Sequence, residues 1–454
     1  MLSWVQPTNQ KIKIMPRRRR KLPAEPIEID ITDLAHDGRG VGRHQEKAVF
    51  VHGALPGERV SARLIDRNRR FDEALCESVL EPSTDRVEPE CPWFDQCGGC
   101  ALQHLDHSAQ LDWKHKRLVD NLTRIGEVTP EEWWDPISAE PWFYRRRSRL
   151  SARLVKGKGR VLVGFREPQG RFVADVGNCR VLHPDFSNRL LSLSQLLGTL
   201  SVADAVPQIE TASGDESSAI VIRHLRPLTA EDETSLRAWS AENDIAVYLQ
   251  PKGPTTVHRL CPDQHRLNYR LDEFDIDLAF HPQHFIQVNA AINRALVSKA
   301  VALLDSGPDD RVLDLFCGLG NFTLPLARRA GRVTGVEGAA ELVEAGRENA
   351  QRNGLDNIDW EVADLAEDVS TRAWYRAGFD QVLIDPPRSG ALEILPVVAG
   401  SGAKRVVYVS CNPATLARDA GELVREHGFR LVSAGIADMF PHTAHVESIA
   451  LFER

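Results

Sequence analysis

The stretch Arg311-Val-Leu-Asp-Leu-Phe-Cys-Gly-Leu-Gly-Asn-Phe322 begins as an apolar run and breaks at two glycines. The run RVLDLF reads as a buried strand. The glycines let the backbone that follows come close to a ligand without a Cβ clash, where a first strand turns into a helix. Working outward, GRVTGVEG, FDQVLIDPP, RVVYVSCNP and SIALFER are further apolar strands, with helical stretches between them. From about residue 281 this alternation predicts an α/β domain on a doubly wound parallel sheet.

Glu337 ends the second strand, in VEG, 23 positions after Asp314. A carboxylate there can accept hydrogen bonds from both hydroxyls of a ribose. The pattern GxGxxG is absent, and a dinucleotide would need its pyrophosphate on the helix N-terminus. S-adenosylmethionine (SAM) has no phosphate, and its sulfonium and amino groups are positive, so a loop lined by acids suits it better. Asp364, in VADL after the third strand, is placed to meet the adenine edge. Another nucleotide in a Rossmann-like domain is the alternative.

The remaining 280 or so residues read differently. Residues 1–21 hold seven of the 56 Lys and Arg and none of the 64 Asp and Glu, a basic arm on a chain of net charge −8. It is either a solvated tail or a phosphate-contacting arm. Residues 22–82 alternate apolar and polar positions between turns such as DGRG and LPGE, which predicts a small barrel of the oligonucleotide-binding kind. Arg63, Arg67, Arg69 and Arg70 cluster there. Of eight cysteines, Cys91, Cys97 and Cys100 crowd together after a Pro-rich joint, a spacing that reads as a metal or iron–sulfur site. Residues 101–126 carry a helical period, with Leu102, Leu105, Leu118, Leu122 and Ile125 on its apolar face and Gly126 as its stop. SRLSARLV, KGKG and RVLVGFRE predict a hairpin. Arg145, Arg146, Arg147, Arg149, Arg153, Lys156, Lys158 and Arg160 fall in a stretch without one acid, beside Trp142, Phe143 and Tyr144. Unpaired cations edged by rings suit single-stranded RNA. Residues 185–275 read as mixed α/β without evident chemistry.

With 42% hydrophobic and 26% charged residues, collagen-like and wholly disordered chains are excluded. No apolar run approaches the ~18 residues of a membrane span. The N-terminal charge has no apolar stretch behind it, which argues against a secretory signal and predicts a cytoplasmic setting.

Cys411 follows the strand VVYVS, and Asp385 ends VLID before Pro-Pro-Arg. Ligands of open α/β sheets bind beyond the carboxyl ends of the strands, so both residues are expected in the crevice of the glycine loop. A thiol is only a few per cent ionised near neutral pH, yet that fraction is strongly nucleophilic. The bland alternative is a small buried hydrophobe, the reading given to Cys76, Cys261 and Cys317. Carbon 5 of a pyrimidine is a poor nucleophile. A thiolate added to carbon 6 places negative charge at carbon 5, which can then take a methyl group from SAM. A base must next remove the carbon-5 proton. Glu447, in HTAHVES, is the candidate, with an ordinary surface carboxylate as its alternative reading.

These motifs together resemble the bacterial SAM-dependent RNA (uracil-5-)-methyltransferases. The residues that carry the likeness are FIQVN (Phe285 to Asn289), LDLFCGLGNF (Leu313 to Phe322), VEG, DPPRSG (Asp385 to Gly390), SCNPATLARD (Ser410 to Asp419) and HVE (His445 to Glu447). Ser389 stands where that family commonly has Ala. The chain is most similar to the 23S ribosomal RNA (uracil(1939)-C(5))-methyltransferase branch. The resemblance implies a class I SAM-dependent methyltransferase domain over 281–454, a central [4Fe–4S] RNA-binding α+β domain over 83–280, and a TRAM barrel over 22–82. It further implies that Cys411 is the nucleophile and Glu447 the base. Gln287, Phe316, Asn321, Glu337, Asp364 and Asp385 would surround SAM, and Asp385 would also lie close to the uracil. Cys91, Cys97, Cys100 and Cys179 would hold the [4Fe–4S] cluster, with zinc as the alternative metal. Their spacing is not CxxxCxxC, so cluster-driven radical chemistry is not expected. The expected partner is 23S ribosomal RNA with its target uracil flipped out, bound by a monomer without a membrane. The alternatives are another 23S uridine, the T-loop uridine of transfer RNA, or a non-enzymatic RNA-binding iron–sulfur protein.

Overall fold

The computed structural model describes residue 22 and residues 25–168 and 170–454; the basic arm lies outside them. The chain divides into two compact units at Arg86/Val87.

The first unit is a closed barrel of five strands in the order β1-β2-β3-β5-β4. These are β1 (Ile27–Leu34), β2 (Gly40–His44), β3 (Lys47–His52), β4 (Arg59–Arg67) and β5 (Phe71–Glu81). The alternation seen in the sequence is the reason: Ile29, Ile31, Val49, Val51, Val60, Ala62 and Ala74 point inward and form its core. The turn GRGVGR allows the barrel to close. A Cβ on Gly42 would stand 2.4 Å from the Asp30 carbonyl oxygen and 2.8 Å from Ile29, so only glycine fits where β2 crosses β1. In the arginine cluster, Arg63 and Arg67 pair with Glu77 and Asp72.

The second unit holds two large sheets. A two-residue strand, β6 (Glu132–Trp133), precedes β7 (Arg147–Val155), β8 (Arg160–Gly164), β9 (Gln208–Ser213), β10 (Ser218–Arg223), β11 (Ile245–Gln250) and β12 (His258–Cys261). The last six form a sheet in the order β12-β11-β10-β9-β7-β8. The expected hairpin is β7–β8. A ribbon of β13 (Leu267–Leu271) and β14 (Ile276–Phe280) follows. The remaining strands are β15 (Arg311–Leu315), β16 (Arg332–Glu337), β17 (Ile358–Val362), β18 (Gln381–Ile384), β19 (Arg405–Ser410), β20 (Arg430–Ala437) and β21 (Glu447–Glu453). With β6 at one edge they build an eight-stranded sheet, β17-β16-β15-β18-β19-β21-β20-β6. Val312, Leu383, Val407 and Val409 face one apolar layer with the helix Ala290–Leu304. Leu313, Leu315, Val382, Ile384, Val406 and Tyr408 face the other, with the helix Pro413–Arg425. Burial on both faces explains why these strands read as continuous apolar runs.

Two expectations are corrected. The sheet is not wholly parallel: β21 lies between β19 and β20 and runs antiparallel to both. Apolar content reports that SIALFER is buried, but not its direction. The helix spans His107–Asn121, capped by Asp106, and continues as a π turn over Leu122–Gly126. Leu102, Leu105, Leu118 and Leu122 are buried, whereas Ile125 is 47% exposed, because the wider π turn rotates it off the apolar face.

Gly42→Ala should destabilise the barrel by about 1–3 kcal/mol, the usual range for an overpacked site. In urea, protease cleavage within 22–86 should begin at lower denaturant, with 87–454 unchanged. Equal resistance to that of the parent chain would show that the crossing has room.

Candidate active site

β15 ends at Leu315 and the chain then turns sharply. Phe316, Gly318 and Gly320 all take positive φ, of 64°, 56° and 99°. A phenylalanine in that region is a genuine outlier for a bulky residue. It is held by two N–H groups, of Phe316 and Cys317, which donate to the Val336 carbonyl at 2.9 and 3.1 Å. At Gly320 a Cβ would stand 2.3 Å from Leu324. The loop thus turns tightly and presents backbone to the crevice.

Glu337, the last residue of β16, accepts the Gly318 N–H at 3.2 Å and the Ala339 N–H at 3.0 Å. Its main-chain oxygen accepts the Ala363 N–H at 3.1 Å, which brings Asp364 alongside it. Asn321 and Asn293 exchange side-chain amide bonds at 2.9 Å in each direction, and the Tyr269 hydroxyl donates to Asn321 at 2.9 Å. Gln287 lines a small cavity of about 260 Å³ together with Tyr269, Asn293 and Arg146. Phe316, Glu337, Asp364 and Asp385 thus stand at or just past the carboxyl ends of β15, β16, β17 and β18, and Asn321 ties their loop to the Tyr269 and Asn293 that line the cavity of Gln287. Burial pushes Asp314 up to about 7, with Asp385 and Glu337 adding to the shift and the Thr323 hydroxyl opposing it. Burial pushes Asp385 up to about 7 as well.

Cys411 follows β19 directly. Asn412 caps the next helix, accepting the Ala414 N–H at 3.2 Å. The thiol therefore sits at a helix N-terminus, where partial positive charge favours a thiolate. Ser410 of β19 pairs with Ser448 of β21 in antiparallel register, so Cys411 comes out opposite Glu447. Burial and the Glu447 carboxylate push the Cys411 thiol up, while Arg388 pulls it down both as a charge and as a hydrogen-bond donor. Glu447 is 3% exposed. Its carboxyl lies well above the usual range because of that burial and the nearby Asp385. Cys411, Glu447, Asp385 and Arg388 are thus neighbours at one point of the crevice. The sequence reading gave no role to Arg388. The hint was present in the motif DPPRSG, but only folding puts its guanidinium on the thiol. Arg388 is fastened by the Asn412 side chain, which donates to its carbonyl at 3.0 Å, and by the His445 ring at 3.2 Å. Cys261 is buried among apolar groups, as expected; Cys317 is buried too but lies also beside Asp314, Glu337 and Thr323, and Cys76, expected to be buried, is only half-buried.

Cys91, Cys97, Cys100 and Cys179 line one cavity of about 390 Å³, walled by Trp93, Phe94 and Phe165. Burial pushes the Cys97 thiol up, that of Cys100 up to about 12 and that of Cys179 up to about 11. Among the described residues, no group of three or more His, Cys, Asp or Glu is placed to hold a metal ion.

The basic hairpin departs from expectation. Arg146 pairs with Asp215, Arg147 and Arg149 with Glu210, and Lys158 and Arg160 with Asp175. Arg145 lies over the Phe165 and Phe440 rings. The stretch lacks acids locally, but the fold supplies them from β9 and from loops. Most of these cations are therefore not unpaired. Among the described residues no helix is long and apolar enough to cross a membrane.

The family model for tRNA (Uracil-5-)-methyltransferase matches residues 216–454, and the TRAM domain model matches residues 20–74. The chain is 54% identical over 443 residues to the 23S rRNA (uracil(1939)-C(5))-methyltransferase RlmD of Alkalilimnicola ehrlichii, covering 97% of this chain and 99% of that one. It is 52% identical to the protein of the same name in Xanthomonas oryzae pv. oryzae, covering 97% and 100%. Among solved structures it is similar to the Pyrococcus abyssi tRNA (uracil-54, C5)-methyltransferase in complex with S-adenosyl-L-homocysteine. That likeness has a TM-score of 0.73 and 26% identity, over 94% of this chain and 100% of that one. A model that spans more than half of the sequence, and relatives that match nearly all of it, show that the chain belongs to the tRNA (Uracil-5-)-methyltransferase family.

Proposed function

We propose that this protein transfers the methyl group of SAM to carbon 5 of one uridine in 23S ribosomal RNA, the uridine at position 1939 named for its relatives. The observation that carries the reading is the meeting of Cys411, Glu447 and Arg388 beside the acid-lined glycine loop. Relatives above 50% identity along the whole chain support the ribosomal target over transfer RNA.

SAM, when bound, supplies an electrophilic methyl on a positive sulfur. Glu337, Asp364, Asp385 and Asn321, with Gln287 and Phe316, hold it in the crevice, where carboxylates balance its charge. The target uridine leaves its stack, at a cost of a few kcal/mol, so that Cys411 can reach it. The Cys411 thiolate adds to carbon 6, the carbon 5–carbon 6 double bond opens, and carbon 5 becomes electron-rich enough to take the methyl, whose bonding pair stays on the SAM sulfur as that leaves as a neutral thioether. Glu447 then removes the proton from carbon 5. The electron pair of that C–H bond rebuilds the double bond and expels the Cys411 sulfur as thiolate. Arg388 stabilises the thiolate at both ends of this cycle.

The four-cysteine cavity supports a resident [4Fe–4S] cluster on Cys91, Cys97, Cys100 and Cys179. A single zinc ion held in a tetrahedron of the same four sulfurs is the alternative. When bound, the cluster supplies a covalent staple between the cysteine loop and Cys179.

With methyl-labelled SAM, the protein should modify unmodified 23S RNA at one uridine; label on transfer RNA alone would move the target. RNA carrying 5-fluorouridine should trap a covalent adduct through Cys411. Cys411→Ala should abolish both trapping and turnover. Glu447→Gln should still add its thiol but lower turnover about 10²- to 10⁴-fold, the usual worth of a general base. The ionised forms of Cys411 and Glu447 do the work, and both groups are held above their ordinary values. Their active fractions therefore grow as pH climbs, and kcat/KM should still be rising through neutral pH and on the alkaline side. A flat profile would exclude ionisation of either group from the slow step. Purified without oxygen, the protein should be brown and carry iron and sulfide, and Cys179→Ser should lose both. A colourless zinc-loaded protein would overturn the cluster.

A further inference from the structure

Glu447 opens β21, and the loop that leads into it, residues 438–446, takes few of its hydrogen bonds from its own sheet. Lys114, wholly buried, donates to Asp438 at 2.6 Å and to the Phe440 carbonyl at 3.0 Å. His107 meets the other Asp438 oxygen at 2.9 Å. The Tyr144 hydroxyl donates to the Pro441 carbonyl at 3.0 Å, and Arg117 donates to the Ala444 carbonyl at 2.7 Å. Most of these partners lie on the helix His107–Asn121, which follows the cysteine loop in sequence.

The tightest point is His442. It has φ of 63°, a left-handed backbone that a non-glycine residue rarely adopts. Its carbonyl accepts two N–H groups, of Ala101 at 2.8 Å and Leu102 at 3.0 Å, the two residues that follow Cys100. Its own N–H donates to the Gln110 side-chain oxygen at 3.0 Å. Gln110 is 1% exposed. Its amide nitrogen donates to the Leu102 and Leu105 carbonyls at 3.0 and 2.8 Å. One buried side chain thus bonds the cysteine loop on one side and the base-bearing loop on the other. The His442 ring stacks on Trp142 at 4.0 Å, and Trp142 is covered in turn by Arg180, next to Cys179. A strained backbone persists only where its surroundings over-determine it, and here the surroundings are the cysteine loop.

We propose that Gln110 is a positioning residue for the Glu447 step: it clamps the His442 backbone to the residues that follow Cys100, so that the setting of the general base depends on the conformation of the cysteine loop. The inference rests on the reading of Cys411 and Glu447 given above. Cys411 hangs from β19 and the helix Pro413–Arg425, whereas Glu447 opens its strand at the end of the clamped loop; that loop reaches the thiol only through the His445 contact with Arg388. The clamp therefore acts more strongly on proton removal than on thiol addition. A merely structural role would lower both equally.

The test uses the full chain, purified without oxygen with its cluster. Gln110→Ala removes both arms of the clamp. Gln110→Glu keeps an oxygen for the His442 N–H and serves if the first variant does not fold. Two rates are read: adduct formation on 5-fluorouridine RNA, and release of methylated product from ordinary RNA with labelled SAM. Adduct formation should stay within about threefold of the parent protein. Release should slow by about 10- to 100-fold, the scale expected of a misplacement of about 1 Å, so that a labelled protein–RNA adduct accumulates on ordinary RNA. Hydrogen exchange should quicken at residues 439–446 and not in β19. Equal losses in the two rates, or unchanged exchange at 439–446 in a folded variant, would overturn the clamp. If the parent protein forms no adduct with 5-fluorouridine RNA, the functional reading itself fails, whatever the Gln110 variants do.

Discussion

The antiparallel insertion of β21 between β19 and β20 is the constraint on which the site depends. In a parallel sheet every strand delivers its last residue to the crevice. A reversed strand delivers its first. Pairing of Ser410 with Ser448 therefore sets the residue after one strand opposite the residue that begins another. A thiol and a carboxylate 36 positions apart in the chain become neighbours. The sheet is buried on both faces, so a slip in register would break the close packing of two apolar layers at once. The alignment of Cys411 with Glu447 is thus protected by the free energy of the core rather than by the two side chains themselves.

Electrostatics follow from that placement. Asp314, Asp385, Glu337 and Glu447 gather near one end of the sheet with Arg388. Buried carboxyls near one another resist ionisation, and a cationic ligand relieves that strain. An acid-lined crevice is therefore a physical complement to a sulfonium and a mismatch for a phosphate. The same burial that raises the Glu447 carboxyl makes it a stronger base once ionised. Arg388 and the helix N-terminus counter the raised thiol without neutralising the acids that face the cofactor.

Much of this was legible in the chain. Period-two alternation over residues 22–82 announced the barrel, and continuous apolar runs after residue 281 announced a buried sheet, because burial leaves its imprint on residue type. The two glycines of the loop after β15 marked the close turn. The cations of the basic hairpin were misread as unpaired because a window of sequence shows which acids are absent nearby and nothing of those that fold back. Glu210 and Asp175 lie well outside residues 145–160 and still meet its arginines. Ile125 was misplaced for a related reason, since a period of 3.6 does not foresee a π turn.

The amino-acid sequence by itself determined which residues could do chemistry: a cysteine after a strand, acids at strand ends, three thiols in a clustered pattern. Those properties are local, a matter of residue type and spacing. Tertiary structure decided the direction of β21, the approach of Arg388 to the thiol, the convergence of Cys179 on the other three cysteines, and the hold of Gln110 on the loop before Glu447. Each joins residues distant along the chain through hydrogen bonds and packing whose partners are interchangeable in sequence terms. Only the closed, unique arrangement of the core selects among them.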